Sequence, residues 1–261
     1  MRELLKKSLD FANKNIVLAC ALVIFSIVTS VYLAVSQSLA GGVMSQSLVL
    51  YMLAAIAFFS GFFNQITALL KGDGAKMKFL EGVGEYFLPM SGICLISLVL
   101  YGFTGVLSSI ITVKIYGGIE AVMAAMNKML AVVQTGGAEA ASIDNATLQI
   151  VLTMLLILWA FWGLLSFVLL YWVPVLYLEG KRNIFISLIS ALKFLFKNFG
   201  KSLLIFVIAV FFVAVISILS AVASSIVLLE VIFSMLNYYV AVVFIFAVFI
   251  FFKKQIEARE D

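Results

Sequence analysis

The chain has no histidine. That removes the commonest general base and the commonest zinc ligand, and with them serine–histidine catalysis and paired-histidine metalloprotease chemistry. Charge is scarce too: Asp, Glu, Lys and Arg make up 11% of the 261 residues, against about 25% in soluble domains. The four aspartates, Asp10, Asp73, Asp144 and Asp261, fall outside the apolar runs, so no aspartate pair is placed for cleavage within a membrane. Cys20 and Cys94 lie inside apolar runs and read as small buried hydrophobes, neither a disulfide nor a metal pair. Lys71-Gly72-Asp73-Gly74 lacks the spacing and the Gly-Lys-Ser/Thr end of a phosphate loop. Basic residues do not cluster with aromatics on a soluble surface, which argues against nucleic-acid binding. No soluble catalytic domain fits between the runs. The longest such segment, 114–144, has 31 residues, below the roughly 40 that a domain needs without a staple. The expectation is a protein that is not an enzyme, with no metal and no cofactor.

What fills the chain is apolar: 65% of its residues are hydrophobic. Between Lys201 and Lys253 lie 51 residues with one charge, Glu230, and neither glycine nor proline. One helical crossing needs about 20 apolar residues, so this stretch holds two. Residues 15–70, 86–113 and 145–175 are likewise free of charge. Continuous runs favour helices over barrel strands, which alternate and last about ten residues. The expected fold is all-α: a polytopic membrane helical bundle, residues 1–261 forming a single integral membrane domain. Its six spans fall at about 16–38, 47–70, 87–111, 148–174, 202–224 and 229–252. Arg2, Lys6 and Lys7 ahead of the first run, with Ser38-Leu39-Ala40 behind it, resemble a signal peptide. The run is longer than the 7–15 residues of a signal core, and it is kept as the first span.

The loops orient the bundle. Four segments (the amino terminus, 71–86, 175–201 and the carboxyl tail) carry 15 basic residues, and the loops that alternate with them carry 2. By the positive-inside rule both termini are cytoplasmic, in a cell's inner or cytoplasmic membrane.

Two of the basic segments match. Residues 5–15, LKKSLDFANKN, line up with 188–198, LISALKFLFKN, in leucine, leucine, phenylalanine, lysine and asparagine. Lys76 and Lys78 ahead of Phe79 make a looser third copy. The economical architecture is three hairpins, each preceded by an amphipathic segment. In 184–199, Ile184, Leu188, Ala191, Leu192, Leu195 and Phe199 form one face, and Ser190, Lys193, Lys197 and Lys201 another. Such a helix lies in the headgroup layer, its lysines meeting anionic lipid headgroups. It serves as an anchor or as a docking site. In the loop 112–147, Ile119, Val122, Met126, Met129 and Val133 recur at helical spacing until Gly136-Gly137. Asp144-Asn145 offer caps for the fourth span.

Charge at membrane depth is costly and usually functional. Glu230, Ser234 and Asn237 share a helix face and are the candidate polar stripe. It lines a solute path or bonds a neighbouring helix. Asn64 and Gln65 sit near the end of the second span, where an interface explains them. Pro174 ends or kinks the fourth span. Trp172 and Tyr177 suit an aromatic belt, and Trp159 and Trp162 are expected to pack on other helices. Gly102, Gly105, Ser108 and Ser109 give the third span a small-residue face for close contact.

Leu178-Glu179-Gly180-Lys181 follows a proline-containing span, then Ile184–Phe199 runs to Lys197-Asn198 and a long span. In this the chain resembles a loose group of uncharacterised prokaryotic six-span membrane proteins. The group includes the membrane domain attached to some glycerophosphodiester phosphodiesterases. The likeness covers about 40 residues and no catalytic domain accompanies it, so the resemblance implies an integral membrane protein without that activity. Two function classes remain: a non-enzymatic component or partner subunit of a transport or envelope assembly, with membrane protein partners, and a small transporter or channel using the stripe at Glu230.

Reporter fusions after Asp261 and within 71–86 and 175–201 are expected to read cytoplasmic, and fusions near Gly41 and Gly137 external. A cytoplasmic signal at Gly137 contradicts the six-span topology.

Overall fold

A computed structural model describes residues 1–38, 44–72, 78–134, 143–180, 182–223 and 226–260. The features expected at Leu39-Ala40, Asp73-Gly74, Lys76, Gly136-Gly137 and Lys181 lie outside the described residues, as does the side chain of Val133. The described chain is all-α. Its helices are α1 (Arg2–Lys14), α2 (Val17–Ser38), α3 (Met44–Lys71), α4 (Phe79–Ile115), α5 (Ile119–Gln134), α6 (Asn145–Leu178), α7 (Ile184–Lys197), α8 (Phe199–Val222) and α9 (Val227–Glu260). Six of them, α2, α3, α4, α6, α8 and α9, are long and apolar enough to cross a membrane. The chain is a multi-pass membrane protein whose apolar helices meet lipid.

The chain divides into two compact units: Met1–Ile93 with Val168–Asp261, and Cys94–Phe167. Helices α4 and α6 each run from one into the other. Both prolines, Pro89 in α4 and Pro174 in α6, sit inside their helices. Pro174 therefore does not end the fourth span; α6 continues to Leu178. Gly180 then takes φ +62°, the left-handed conformation that terminates helices and that glycine adopts without a Cβ clash.

In the first unit, burial concentrates on α9. Half of its most apolar stretch is buried, against 11–28% in the other five spans. Val242, Phe246, Ala247, Val248, Phe249 and Phe252 are almost inaccessible, so this half of the helix is covered on all sides. Phe11 of α1 packs on Phe246 with ring centroids 5.8 Å apart, and Phe63 of α3 stacks on Phe249 at 6.0 Å. Phe194 of α7 meets Phe252 at 4.6 Å and Tyr171 of α6 at 5.8 Å. Polar groups inside this layer bond across helices. Tyr177 Oη donates to the Ser60 carbonyl (3.2 Å) and Tyr171 Oη to the Ser202 carbonyl (3.1 Å). Trp172 Nε1 donates to Ser187 Oγ (2.8 Å). Trp172 and Tyr177 are thus core residues and not an aromatic belt. Lys253 Nζ donates to the Leu70 carbonyl in the last turn of α3 (2.8 Å), satisfying an otherwise orphan acceptor at the negative end of that helix.

Asn64 and Gln65, explained above by interface placement, fasten the start of α4 to α3. Asn64 Nδ2 donates to the Lys78 carbonyl (2.8 Å), and Gln65 Oε1 accepts from the Lys78 N–H (2.9 Å). The helices approach closely here. A Cβ on Gly82 would lie 2.3 Å from Asn64 Cβ, and one on Gly61 would lie 2.7 Å from the Phe79 carbonyl oxygen.

The matched segments become matched structures. Ser8 and Ala191 are buried at equivalent positions, as are Ala12 and Leu195, and Phe11 and Phe194 both reach α9. Asn15 and Asn198 end their helices alike, each side-chain amide donating to the carbonyl four residues back, at 2.9 and 3.2 Å. Before the middle hairpin, where the looser third copy was expected, no separate amphipathic helix forms among the described residues, and α4 starts at Phe79.

The second unit pairs α4 with α6. Tyr101 Oη lies 3.0 Å from Ser166 Oγ, Ser108 Oγ donates to the Met154 carbonyl (2.8 Å), and Tyr116 Oη lies 2.8 Å from Thr153 Oγ1. The packed face of α4 is Tyr101, Thr104, Ser108 and Thr112, at steps of three and four. Gly102 and Gly105 are not in it: a Cβ on either would meet nothing within 4 Å. Trp162 stands edge-on to Tyr101 at 5.8 Å, whereas Trp159 points outward, 73% exposed. Cys20 in the first unit is also exposed and Cys94 half-buried, both as free thiols. In lipid an outward apolar side chain loses nothing, which is why these residues need no protein partner.

Phe249→Ala empties a site 2% exposed and is expected to cost about 3–5 kcal/mol, read as a lowered unfolding midpoint of the purified protein. Trp159→Ala is expected to stay within about 0.5 kcal/mol of the parent.

Candidate functional site

The stripe of Glu230, Ser234 and Asn237 starts in the first turn of α9. Glu230 and Ser234 open onto a groove of about 420 Å³ between α9 and α2, whose other lining includes Ser26, Ser30, Val231 and Tyr238. The groove brings Tyr238 to this face in place of Asn237, which is half-buried and outside the lining. Tyr238 Oη donates to Ser26 Oγ, tying the two helices at the foot of the groove. Ser26 lies at the middle of the α2 apolar span Val17–Ser36. Among the described residues nothing pairs with the Glu230 carboxylate, which is exposed; Ser224 and Ser225, six and five positions earlier in the sequence, lie outside them. Ser26 and Ser30 were not singled out from sequence. Their four-residue spacing on an apolar helix, facing a charge on another, was the signal.

Tyr239 Oη donates to Asn13 Oδ1 of α1, and the next turns of α9 are the aromatic layer.

Lys193 and Lys197 are exposed on α7. The Asn183 side chain starts that helix by accepting from the N–H groups of Phe185 (3.1 Å) and Ile186 (3.2 Å). The buried face is Ser187, Ala191, Phe194 and Leu195, turned from the expected one by the inclusion of Ser187 and Phe194. The opposite side exposes Phe185, Ile189 and Phe196 beside the two lysines. One side of α7 is thus held by protein, and the other presents aromatic and aliphatic groups with ammonium groups at their edge. Lys201, at the start of α8, is exposed and lines a separate hollow of about 380 Å³ with Met1, Glu3, Leu4 and Lys254.

In the second unit α5 buries Val122 and Ala125 against Ile150. Ile119 and Met126, expected on that face, are exposed with Met123 and Leu130, leaving a second apolar stripe beside a polar face. Asp144 caps α6, its Oδ1 accepting from the Thr147 N–H (2.7 Å), and Lys128 of α5 donates to Oδ2 (3.0 Å). Asn145 is already inside the helix. The described residues hold no cluster of three metal-ligating side chains.

No family model, curated protein or solved structure matches the chain.

The hydrogen bonds from Thr147, and then the Lys128 ammonium, hold the Asp144 carboxyl well below the usual carboxylate range. A depressed folded pKa stabilises above the unfolded value of about 3.9 and is lost as pH falls through the folded one. Hydrogen exchange of α5, corrected for its intrinsic pH dependence, is expected to stay constant from neutral pH to about 4. Protection then declines in stronger acid, and Asp144→Ala removes it at neutral pH.

Proposed function

We propose that the chain is a non-enzymatic component of a membrane assembly, a subunit that takes a transmembrane segment of a partner protein into the groove between α2 and α9. The observation that carries this is the uncovered Glu230 carboxylate facing Ser26, Ser30 and Ser234 on an apolar part of the bundle. A charged carboxylate costs about 2.5–3.5 kcal/mol at the centre of a span, and a part of that in the first turn, where Glu230 sits. A partner helix that brings a lysine, an arginine or a hydrogen-bond donor relieves that cost and leaves the hydroxyls paired. The buried aromatic layer that follows the groove along α9 supports a binding role over conduction. The resemblance of 178–198 to uncharacterised six-span proteins, prokaryotic and of the cell membrane, belongs to the same reading, as does a topology with both termini cytoplasmic. Lys193 and Lys197 fit this too: beside Phe185 and Phe196 they anchor α7 among anionic headgroups. A small transporter is the second reading, favoured by the fact that the groove does reach Glu230.

A photocrosslinking residue at Ser30 or Val231 is expected to capture one membrane protein that the same residue at Phe211, on α8, does not. Glu230→Gln keeps the hydrogen-bonding capacity and is expected to weaken capture about fivefold or less; Glu230→Lys removes it. Equal capture at Phe211 overturns the partner reading. Cation or proton flux in proteoliposomes that Glu230→Gln abolishes, without a captured partner, establishes the transporter instead.

A further inference from the structure

A second groove lies where α1 meets α8 and α9. It has a volume of about 440 Å³ and is lined by Arg2, Leu5, Lys6 and Leu9 of α1, Phe212 of α8, and Tyr239, Val240, Val243 and Phe244 of α9. That volume lies within the roughly 300–1,000 Å³ of small-ligand sites. Its lining has two characters. Phe212, Val240, Val243, Phe244, Leu5 and Leu9 are apolar, and two cations stand among them.

The direction of α1 separates the two. Asn13, at its carboxyl end, bonds Tyr239, while Met1 and Leu4, at its amino end, line a hollow with Phe251 and Lys254. Helix α1 therefore runs antiparallel to α9. Arg2 and Lys6 lie toward the end of α9 that carries Lys253 and Lys254, where the apolar run stops. The apolar part of the groove lies toward Phe212 and Val240, in the span. Apolar chain inward and cation at the margin is the order in which a bilayer lipid presents its acyl chain and its phosphate.

We propose that this groove binds one anionic phospholipid of the leaflet that meets α1, an acyl chain along Phe212, Val240 and Val243, and the phosphate on Arg2 and Lys6. The occupant is set by charge complementarity and by this order of apolar and basic groups. A partner helix would bring little to the basic end, and a zwitterionic lipid would add its own headgroup cation beside the two already there. Arginine gives the phosphate a planar fork and lysine a mobile point charge. Lipid held here also fills the space beside the α1–α9 contact, so α1 is better anchored when the site is occupied. The site is independent of the α2–α9 groove, and its fate says nothing about that of the partner reading.

The test uses the full-length protein in detergent, with phosphatidylglycerol or phosphatidylcholine added, and counts retained lipid by native mass spectrometry. The parent is expected to retain phosphatidylglycerol about tenfold or more over phosphatidylcholine, on the order of 1 kcal/mol for each basic group near the phosphate. Arg2→Gln with Lys6→Gln is expected to erase that preference. Val243→Trp, which fills the groove and leaves both charges, is expected to lower retention of both lipids. Lys193→Gln with Lys197→Gln, on α7 and outside the groove, is expected to lower retention by less than the α1 variant does. Unchanged circular dichroism shows each variant folded. Equal retention of the two lipids by the parent, or an α7 variant that loses as much as the α1 variant, overturns the proposal. So does an Arg2/Lys6 variant that keeps the preference.

Discussion

Helix α9 beyond Tyr238 carries almost nothing but large apolar side chains on every face, and the first unit depends on covering all of them at once. In lipid, an apolar residue gains little by moving from acyl chains to protein. Where the helix leaves the hydrocarbon, the same side chains would face water, and there each buried aromatic gives on the order of 2–3 kcal/mol. This explains why α8, α1, α7 and the end of α3 gather on residues 242–252 while most of residues 228–236 stay exposed. The amphipathic helices are the wall of that layer. Their buried positions are small or aromatic (Ser8, Ala12, Ala191, Phe194), so the backbones come close and the rings fill what remains.

The polar groups of the layer follow from its dryness. A buried hydroxyl or indole must find a partner, and Tyr171, Trp172 and Tyr177 each reach a carbonyl or hydroxyl of another helix. Several serines and threonines in the spans answer the same demand locally, donating to a carbonyl three or four residues back, as Ser60 and Thr67 do. The Glu230 carboxylate, an acceptor when charged, cannot donate to a carbonyl in this way, and among the described residues no side chain donates to it. A residue of this type on the lipid-facing half therefore points to something outside the first unit, whereas a serine in the same place would not.

The six helices and the amphipathic segment before α8 were legible in the sequence, because length and charge determine them and tertiary contacts hardly enter. The match of 5–15 with 188–198 was legible for the same reason, and it reached the level of the asparagine caps. What could not be read was which face each apolar helix turns inward. On α4 the hydroxyl face won over the glycine face, since hydroxyls bond across helices and the glycines there meet no neighbour. On α6 the tryptophans were misassigned by depth: Trp172 is deep in protein and Trp159 is outside. Periodicity cannot distinguish lipid from protein when both are apolar, and on α5 and α7 it misplaced the buried face by about one residue.

The two grooves differ in a way that bears on how such a chain uses its charges. At Arg2 and Lys6 the cations stand at the margin of the apolar run, where long stems let them reach headgroups and water at small cost. At Glu230, in the first turn of α9, the stem is short and the lining around it holds three serine hydroxyls. A cation at the margin can exchange one lipid for another and suits a site that holds the protein in its leaflet. A short carboxylate at the start of an apolar helix has less reach, because lipid tails offer it nothing. Its occupant has to carry a donor to the first turn of α9, and that requirement, more than the volume of the groove, sets the kind of partner it can accept.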